Sequence, residues 1–103
     1  MSKVRALHDE AMQWAEKALV ARHDNNEQRS IDYSQKAFLL EAEAAALIPN
    51  EKASEPTRSI LYCSAASLAF EAKCFKEAEY LAIQGLAGFP SGRIEKELKT
   101  FLV

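Results

Sequence analysis

The sequence predicts an all-α fold of about five helices, arranged as two antiparallel helical hairpins and a C-terminal capping helix. No segment alternates apolar and polar residues over a useful length, because the β-branched residues are scattered. All three glycines lie after residue 84 and the first proline is Pro49, so nothing interrupts a long helix in the first half. Apolar residues recur at helical spacing along most of the 103 residues, a length that fits a single domain.

The first hairpin is predicted over residues 1–49. Its first helix covers residues 2–23, where the apolar residues follow a spacing of three to four. They are Val4, Leu7, Ala11, Trp14, Ala15, Ala18, Leu19 and Ala21. Asp24 and Glu27 form a capping-box pattern, which predicts a second helix over residues 26–48.

A linker and a second hairpin are predicted after the first one. Pro49 ends the second helix, and the residues that follow it are small or polar. Ser54 is the expected N-cap of the third helix, with Pro56 in the first turn, where the missing N–H has no partner to lose. The third helix ends near Ala72, and the short turn after it makes the fourth helix its antiparallel neighbour. The second hairpin therefore spans residues 54–90.

The fourth helix is predicted over residues 75–87. Gly88 follows it, and a glycine at this place is typical of a left-handed helix cap. The remaining residues, 91–103, predict an amphipathic fifth helix with Ile94 and Leu98 on its apolar face. We expect this helix to cover one end of the bundle.

The composition argues against several classes of function. The net charge is −2, from 13 basic and 15 acidic residues that are interspersed along the chain. Such a chain lacks the basic cluster that binds a phosphate backbone, so nucleic acid is not an expected partner. No apolar run approaches the roughly 20 residues that cross a bilayer, and the charged N-terminus does not fit a signal peptide. We therefore expect no membrane partner and a cytoplasmic protein.

The cysteines and the acidic pairs do not predict a metal site. Cys63 and Cys74 are the only cysteines, and two thiols without a nearby pair of histidines cannot complete a structural zinc site. We expect them to be buried, free thiols that pack as small hydrophobic residues. Three pairs of glutamates lie two residues apart, which places them on different sides of a helix, and we expect them at the solvated surface. They are Glu41 and Glu43, Glu77 and Glu79, and Glu95 and Glu97. No metal and no cofactor is predicted.

The second hairpin carries aromatic and small residues at helical spacing. In its first helix Tyr62 is followed one turn later by Ala66, and Lys73 stands in the turn. The second helix and the residues after it contain Phe75, Ala78, Gly85, Leu86 and Pro90. This pattern resembles one tetratricopeptide repeat. In that family an aromatic residue and a small residue occupy the first helix, an aromatic residue, small residues and a closing proline occupy the second, and a glycine is usual where Lys73 stands. The resemblance implies a right-handed array of hairpins, or a bundle of this type, that binds peptides.

The first half resembles a lengthened version of the same unit. Trp14 and Ala18 match the first helix, and Ala37, Ala44 and Pro49 match the end of the second. We expect Trp14 to be mostly buried between the two helices, because it occupies the aromatic anchor position. The alternative is that any antiparallel bundle places alanines where its helices cross, which predicts the same architecture without a family relationship.

The resemblance implies a groove along the first helix of each hairpin. The residues that we expect to bind a partner there are Met12, Leu19, Arg22, Ile60, Ser67, Phe70 and Glu71. This mixture suits a peptide or helix of a partner protein, whose apolar side chains are buried while Arg22 binds a carboxylate. The alternative is a structural or assembly subunit, in which the same strip is buried in a homodimer or larger homo-oligomer without a separate ligand.

The sequence does not predict an enzyme. His8, Asp9 and Glu10 are consecutive, so they point in different directions around a helix and cannot converge on one substrate atom. The chain has no His-Glu-x-x-His helix, no phosphate-binding glycine loop and no Gly-x-Ser-x-Gly turn. We therefore expect His8 and His23 to be exposed, and the protein to be a non-catalytic interaction module.

Overall fold

A computed structural model describes residues 2–102 and confirms the all-α prediction. The described residues contain no β-strand, and none of their helices is long and apolar enough to cross a membrane. The helices are α1 (Lys3–His23), α2 (Glu27–Ala46), α3 (Thr57–Glu71), α4 (Phe75–Leu86) and α5 (Gly92–Lys99), with a short 3-10 turn at Lys52–Ser54. The first four helices lie within about two residues of their predicted positions, whereas α5, which was predicted to extend to residue 103, ends at Lys99.

The first two helices begin at side-chain caps. The Ser2 hydroxyl accepts a hydrogen bond from the Arg5 N–H at 3.1 Å, and the Asn26 side chain accepts one from the Arg29 N–H at the same distance. Each cap satisfies an N–H group that has no partner within the helix. The cap of α2 is therefore Asn26, whereas the sequence pattern had pointed to Asp24.

The two hairpin turns each need a left-handed residue. Asn25 has a φ of 60° and Lys73 a φ of 62°, and both stand directly before the cap of the next helix. Lys73 thus adopts a left-handed conformation that glycine occupies more readily than lysine. The predicted left-handed cap at Gly88 is wrong, because no described glycine has a positive φ. Instead the Gly88 N–H donates to the Gly85 carbonyl at 3.2 Å.

The linker between the hairpins is fastened by Glu55. Ser54 was expected to cap α3, but it ends the 3-10 turn, and the Glu55 carboxylate accepts the Ser59 N–H at 3.0 Å instead. The second oxygen of Glu55 accepts the Phe89 N–H at 3.1 Å, so this side chain joins the start of α3 to the segment after α4. Partial burial opposes ionisation of Glu55, yet the hydrogen bonds from Ser59 and Phe89 outweigh it and lower its pKa.

Alanines make up most of the buried hydrophobic residues. Ala66 is fully buried, as expected for a point where helices cross closely. Gly85 of α4 lies against Tyr62 of α3 and Leu98 of α5, and a Cβ at this glycine would come within 3.0 Å of both side chains. The other alanines with no exposed surface are Ala11, Ala37, Ala44, Ala45, Ala65, Ala69 and Ala82.

Helix α5 covers part of α3 and α4, as predicted. Ile94 and Leu98 are buried in the main core. After the helix, Phe101 is half-buried and meets Phe70 of α3 edge-on, with ring centroids 6.1 Å apart. Leu102 remains exposed.

Helix α2 is the central element of the first three helices. It packs along α1 on one side and along α3 on the other, whereas α1 and α3 hardly touch. Side chains of α1 and α3 nevertheless line the same depressions on the surface. The two helices therefore stand side by side with a cleft between them.

Candidate functional site

The middle of the cleft between α1 and α3 is open and largely apolar. Met12 and Ala15 project from α1, and Ile60, Ser67 and their neighbours project from α3. Residues of α5 and the turn after it, including Phe101, line the far side. The open depression has a volume of about 550 Å³. The structure thus brings together three of the predicted partner-binding residues, namely Met12, Ile60 and Ser67.

A second depression lies at the other end of the hairpins and has a volume of about 620 Å³. Arg22, Phe70 and Glu71 line it, together with Phe75. The rings of Phe70 and Phe75 meet edge-on with centroids 5.1 Å apart, and about half of each side chain is exposed. Leu19 lines neither depression and is exposed, so the predicted strip is divided into two parts and one isolated residue.

Arg22 already has a carboxylate partner within the protein. Its guanidinium donates to the Glu71 carboxylate at 3.1 Å, which joins the C-terminal ends of α1 and α3 across the cleft. The expected role of Arg22 in binding a partner carboxylate stays a prediction, since a partner would have to compete with Glu71. Both side chains are well exposed, so the pair adds little to stability and can exchange partners.

Cys63 lines the cleft but is not a reactive thiol. It is buried and free, and its Sγ donates to the Glu97 carboxylate of α5 at 3.3 Å. Burial, with the Glu97 contact second, raises the pKa of Cys63 to about 11. The prediction of a buried free thiol is confirmed here, whereas Cys74 is free but only half-buried.

His8 and Glu41 form a contact that the sequence analysis missed. Glu41 of α2 is completely buried, and His8 Nδ1 lies 2.8 Å and 3.1 Å from its two carboxylate oxygens. His8 is itself only partly exposed and lines a further depression between the first turns of α1 and α3. The expectations of a solvated Glu41 and an exposed His8 are both wrong. Phe38 and Ala45, three and four residues away on the buried face of α2, were the signal that Glu41 points inward.

Trp14 lies at the outer edge of the first hairpin. Its ring stacks on Tyr33 of α2 with centroids 5.7 Å apart. The ammonium groups of Lys17 and Lys36 lie 4.7 Å and 4.9 Å from its ring centroid. Most of the Trp14 surface is buried, as the sequence predicted, although part of it remains exposed. The two helices meet through alanines, which leaves their aromatic side chains at the edge of the contact.

Among residues 2–102, no group of three or more histidine, cysteine and acidic side chains is placed to hold a metal ion. Glu95, one of the glutamates expected at the solvated surface, lies there and pairs with Lys99 one turn later at 3.8 Å.

No family model matches this sequence, and no curated protein or solved structure shows significant similarity to it. The resemblance to tetratricopeptide repeats therefore stays a prediction from the sequence pattern.

Proposed function

We propose that this chain is a non-catalytic protein-interaction module of the tetratricopeptide type, which receives an apolar helix or peptide of a partner protein in the cleft between α1 and α3. The observation that carries the proposal is the cleft itself. Helices α1 and α3 both pack on α2 but hardly touch each other, and the space between them is lined mainly by apolar side chains, with Arg93 and Glu97 of α5 at its far side. Recognition of a helix in such a groove depends on burying apolar anchors at helical spacing.

The size and chemistry of the cleft suit a short segment. From His8 to Arg22, α1 rises by about 21 Å, which matches a partner helix of about 14 residues. Met12 is unbranched and adapts its shape to different apolar side chains. Hydroxyl groups of Ser64 and Ser67 lie beside it and can bind polar groups of the partner backbone or side chains.

Free thiols support a cytoplasmic location for this module. Cys63 and Cys74 are both unpaired, and proteins of reducing compartments keep their thiols in this state.

Substitutions in a cross-linking assay test the proposal. A photoreactive amino acid at Ser67 should cross-link a partner from the native source, and a synthetic peptide from the cross-linked segment should then bind with a measurable Kd. Truncation of a buried anchor costs more than about 1 kcal/mol, so Ile60→Ala and Phe70→Ala should each weaken the peptide about five- to tenfold. Ile83→Ala is the matched control, since Ile83 of α4 is as exposed as Ile60 but lies outside the cleft.

Two outcomes would contradict the proposal. One is an equal loss of affinity in Ile60→Ala and Ile83→Ala, and the other is full affinity in every folded cleft variant. Arg22→Ala should weaken binding less than Phe70→Ala, because Arg22 is already paired with Glu71. Lys96→Ala on α5 should have no effect.

The second candidate is self-association, which the exposed ring pair of Phe70 and Phe75 favours. A second copy of the chain could cover these rings, and the protein would then have no ligand other than itself. Light scattering of the purified protein over a range of concentrations distinguishes the two functions. A monomer at all concentrations supports the interaction module, whereas a dimer that Phe70→Ala dissociates supports self-association.

A further inference from the structure

A second interaction surface lies at the outer edge of the first hairpin. It consists of Trp14, Lys17, Arg29, Tyr33 and Lys36, which we call the basic–aromatic patch. We propose that this patch binds an acidic peptide segment of a partner protein. The proposal goes beyond the cleft, because none of these five residues lines the depressions between α1 and α3.

The positive charges of the patch are held close together. Since Lys17 and Lys36 both stand over the ring of Trp14, their ammonium groups are within about 10 Å of each other. Lys17 and Arg29 also line one shallow depression of about 370 Å³ beside Tyr33. Within residues 2–102, neither lysine nor the Arg29 guanidinium has a carboxylate at ion-pair distance.

The acidic residues that line or adjoin the depression already have partners. Asp24 lines it, and its carboxylate lies 3.8 Å from His23 Nδ1. Asp32, next to Tyr33 in the chain, accepts a hydrogen bond from the Gln28 amide at 3.0 Å. The three cations Lys17, Arg29 and Lys36 outnumber these two carboxylates, and the complementary partner carries negative charge.

A peptide fits the patch better than the other polyanions do. The rings of Trp14 and Tyr33 face each other, and the lysines occupy further space around the indole, so a nucleobase has no free ring face on which to stack. The net charge of −2 lacks the overall positive charge that is typical of proteins binding a long phosphate backbone, whereas a short acidic peptide needs only a local patch of positive charge. Two carboxylates one helical turn apart are about 5–6 Å from each other, a spacing that two lysines on one ring can bind together.

The lysines are partly ordered before a ligand arrives. The attraction between an ammonium group and an indole ring favours the conformations in which Lys17 and Lys36 stand over Trp14. Ordering a long side chain on binding costs affinity, and this cost is reduced when the side chain is already held in place. The aromatic rings thus serve as the support for two binding groups.

Fluorescence anisotropy with a defined probe tests the proposal. The probe is a labelled peptide of about 14 residues with glutamates one helical turn apart, and its control peptide has glutamine at the same positions. The glutamate peptide should bind saturably and also change the emission of Trp14, the only tryptophan, while the glutamine peptide should do neither. Lys17→Gln combined with Lys36→Gln should weaken binding about tenfold or more.

The matched control is Lys76→Gln combined with Lys96→Gln, which changes the net charge equally at exposed positions outside the patch. Circular dichroism should show the wild-type helix content in both double variants. Equal weakening by both double variants would show that only the net charge matters and would overturn the proposal. So would the absence of saturable peptide binding, or tighter binding of an oligothymidylate or of phosphatidylserine vesicles.

Discussion

Removal of His8 should destabilise the fold far more than its partly exposed position suggests. The Glu41 carboxylate has no exposed surface, and His8 provides its only hydrogen bonds within residues 2–102. His8→Ala therefore leaves a buried charge without a partner, which costs about 3–5 kcal/mol when water cannot reach it. Because the His8 side chain is 40% exposed, water can enter the vacated space, and we expect about 3 kcal/mol. In a domain of this size that lowers Tm by roughly 12–24 °C.

Replacing Glu41 should destabilise the fold much less than replacing His8. In Glu41→Leu the buried charge disappears and His8 is left partly solvated, so the cost should be at most about 1 kcal/mol and a gain is possible. The double variant His8→Ala/Glu41→Leu should consequently be more stable than His8→Ala alone. Urea denaturation followed by circular dichroism at neutral pH measures all three free energies of unfolding.

His23→Ala is the matched control for this series. His23 is the only other histidine, and 89% of its side chain is exposed. Its removal should change the free energy of unfolding by less than about 0.5 kcal/mol. If His8→Ala is as mild as His23→Ala, or Glu41→Leu as harmful as His8→Ala, the reasoning from the buried carboxylate is wrong.

Three further substitutions or reactions have expected outcomes. Gly85→Ala should destabilise by about 1–3 kcal/mol in thermal melts, because its methyl group would crowd the fixed Cβ of Tyr62, whereas Gly92→Ala, which has open space, should be harmless. Glu55→Gln should lower the free energy of unfolding at neutral pH and make it depend less on pH in acid. The lowered pKa of Glu55 in the folded protein contributes stability above the ordinary pKa of 4.5, and this contribution is lost as the pH falls through the folded-state pKa. Alkylation of Cys63 followed by mass spectrometry should be slow in the folded protein and should accelerate as the pH rises towards a pKa of about 11.

The sequence predicted the helices well because the signals for them are local. Apolar spacing, the breaker at Pro49 and the short turn after Ala72 all act within a few residues, and the observed bounds follow them closely. The details of helix ends were less predictable. At Gly88 the expected left-handed cap does not form. Groups that are distant in the sequence contact the segment after α4, among them the Glu55 carboxylate, which accepts the Phe89 N–H.

The candidate site was predicted in part. Its apolar residues Met12 and Ile60 lie in the cleft because helical periodicity already placed them on one face. Glu41 was misassigned and the Arg22–Glu71 pair was missed, since the partner of a charge depends on the tertiary structure. Arg22 meets Glu71, 49 residues away, and Glu41 meets a histidine 33 residues away. Spacing within one helix contains no information about such pairs.

The cleft stays open because of the side chains that face across it. Ala15 of α1 and Ser64 and Ser67 of α3 are too small to fill the space between two helices that both rest on α2. Larger residues at these positions would fill the gap, so that α1 and α3 would pack on each other and bury their apolar faces. The small residues therefore leave a depression of about 550 Å³ between the described helices. On our proposal that a partner segment binds there, the stability of the protein should rise when that segment is added.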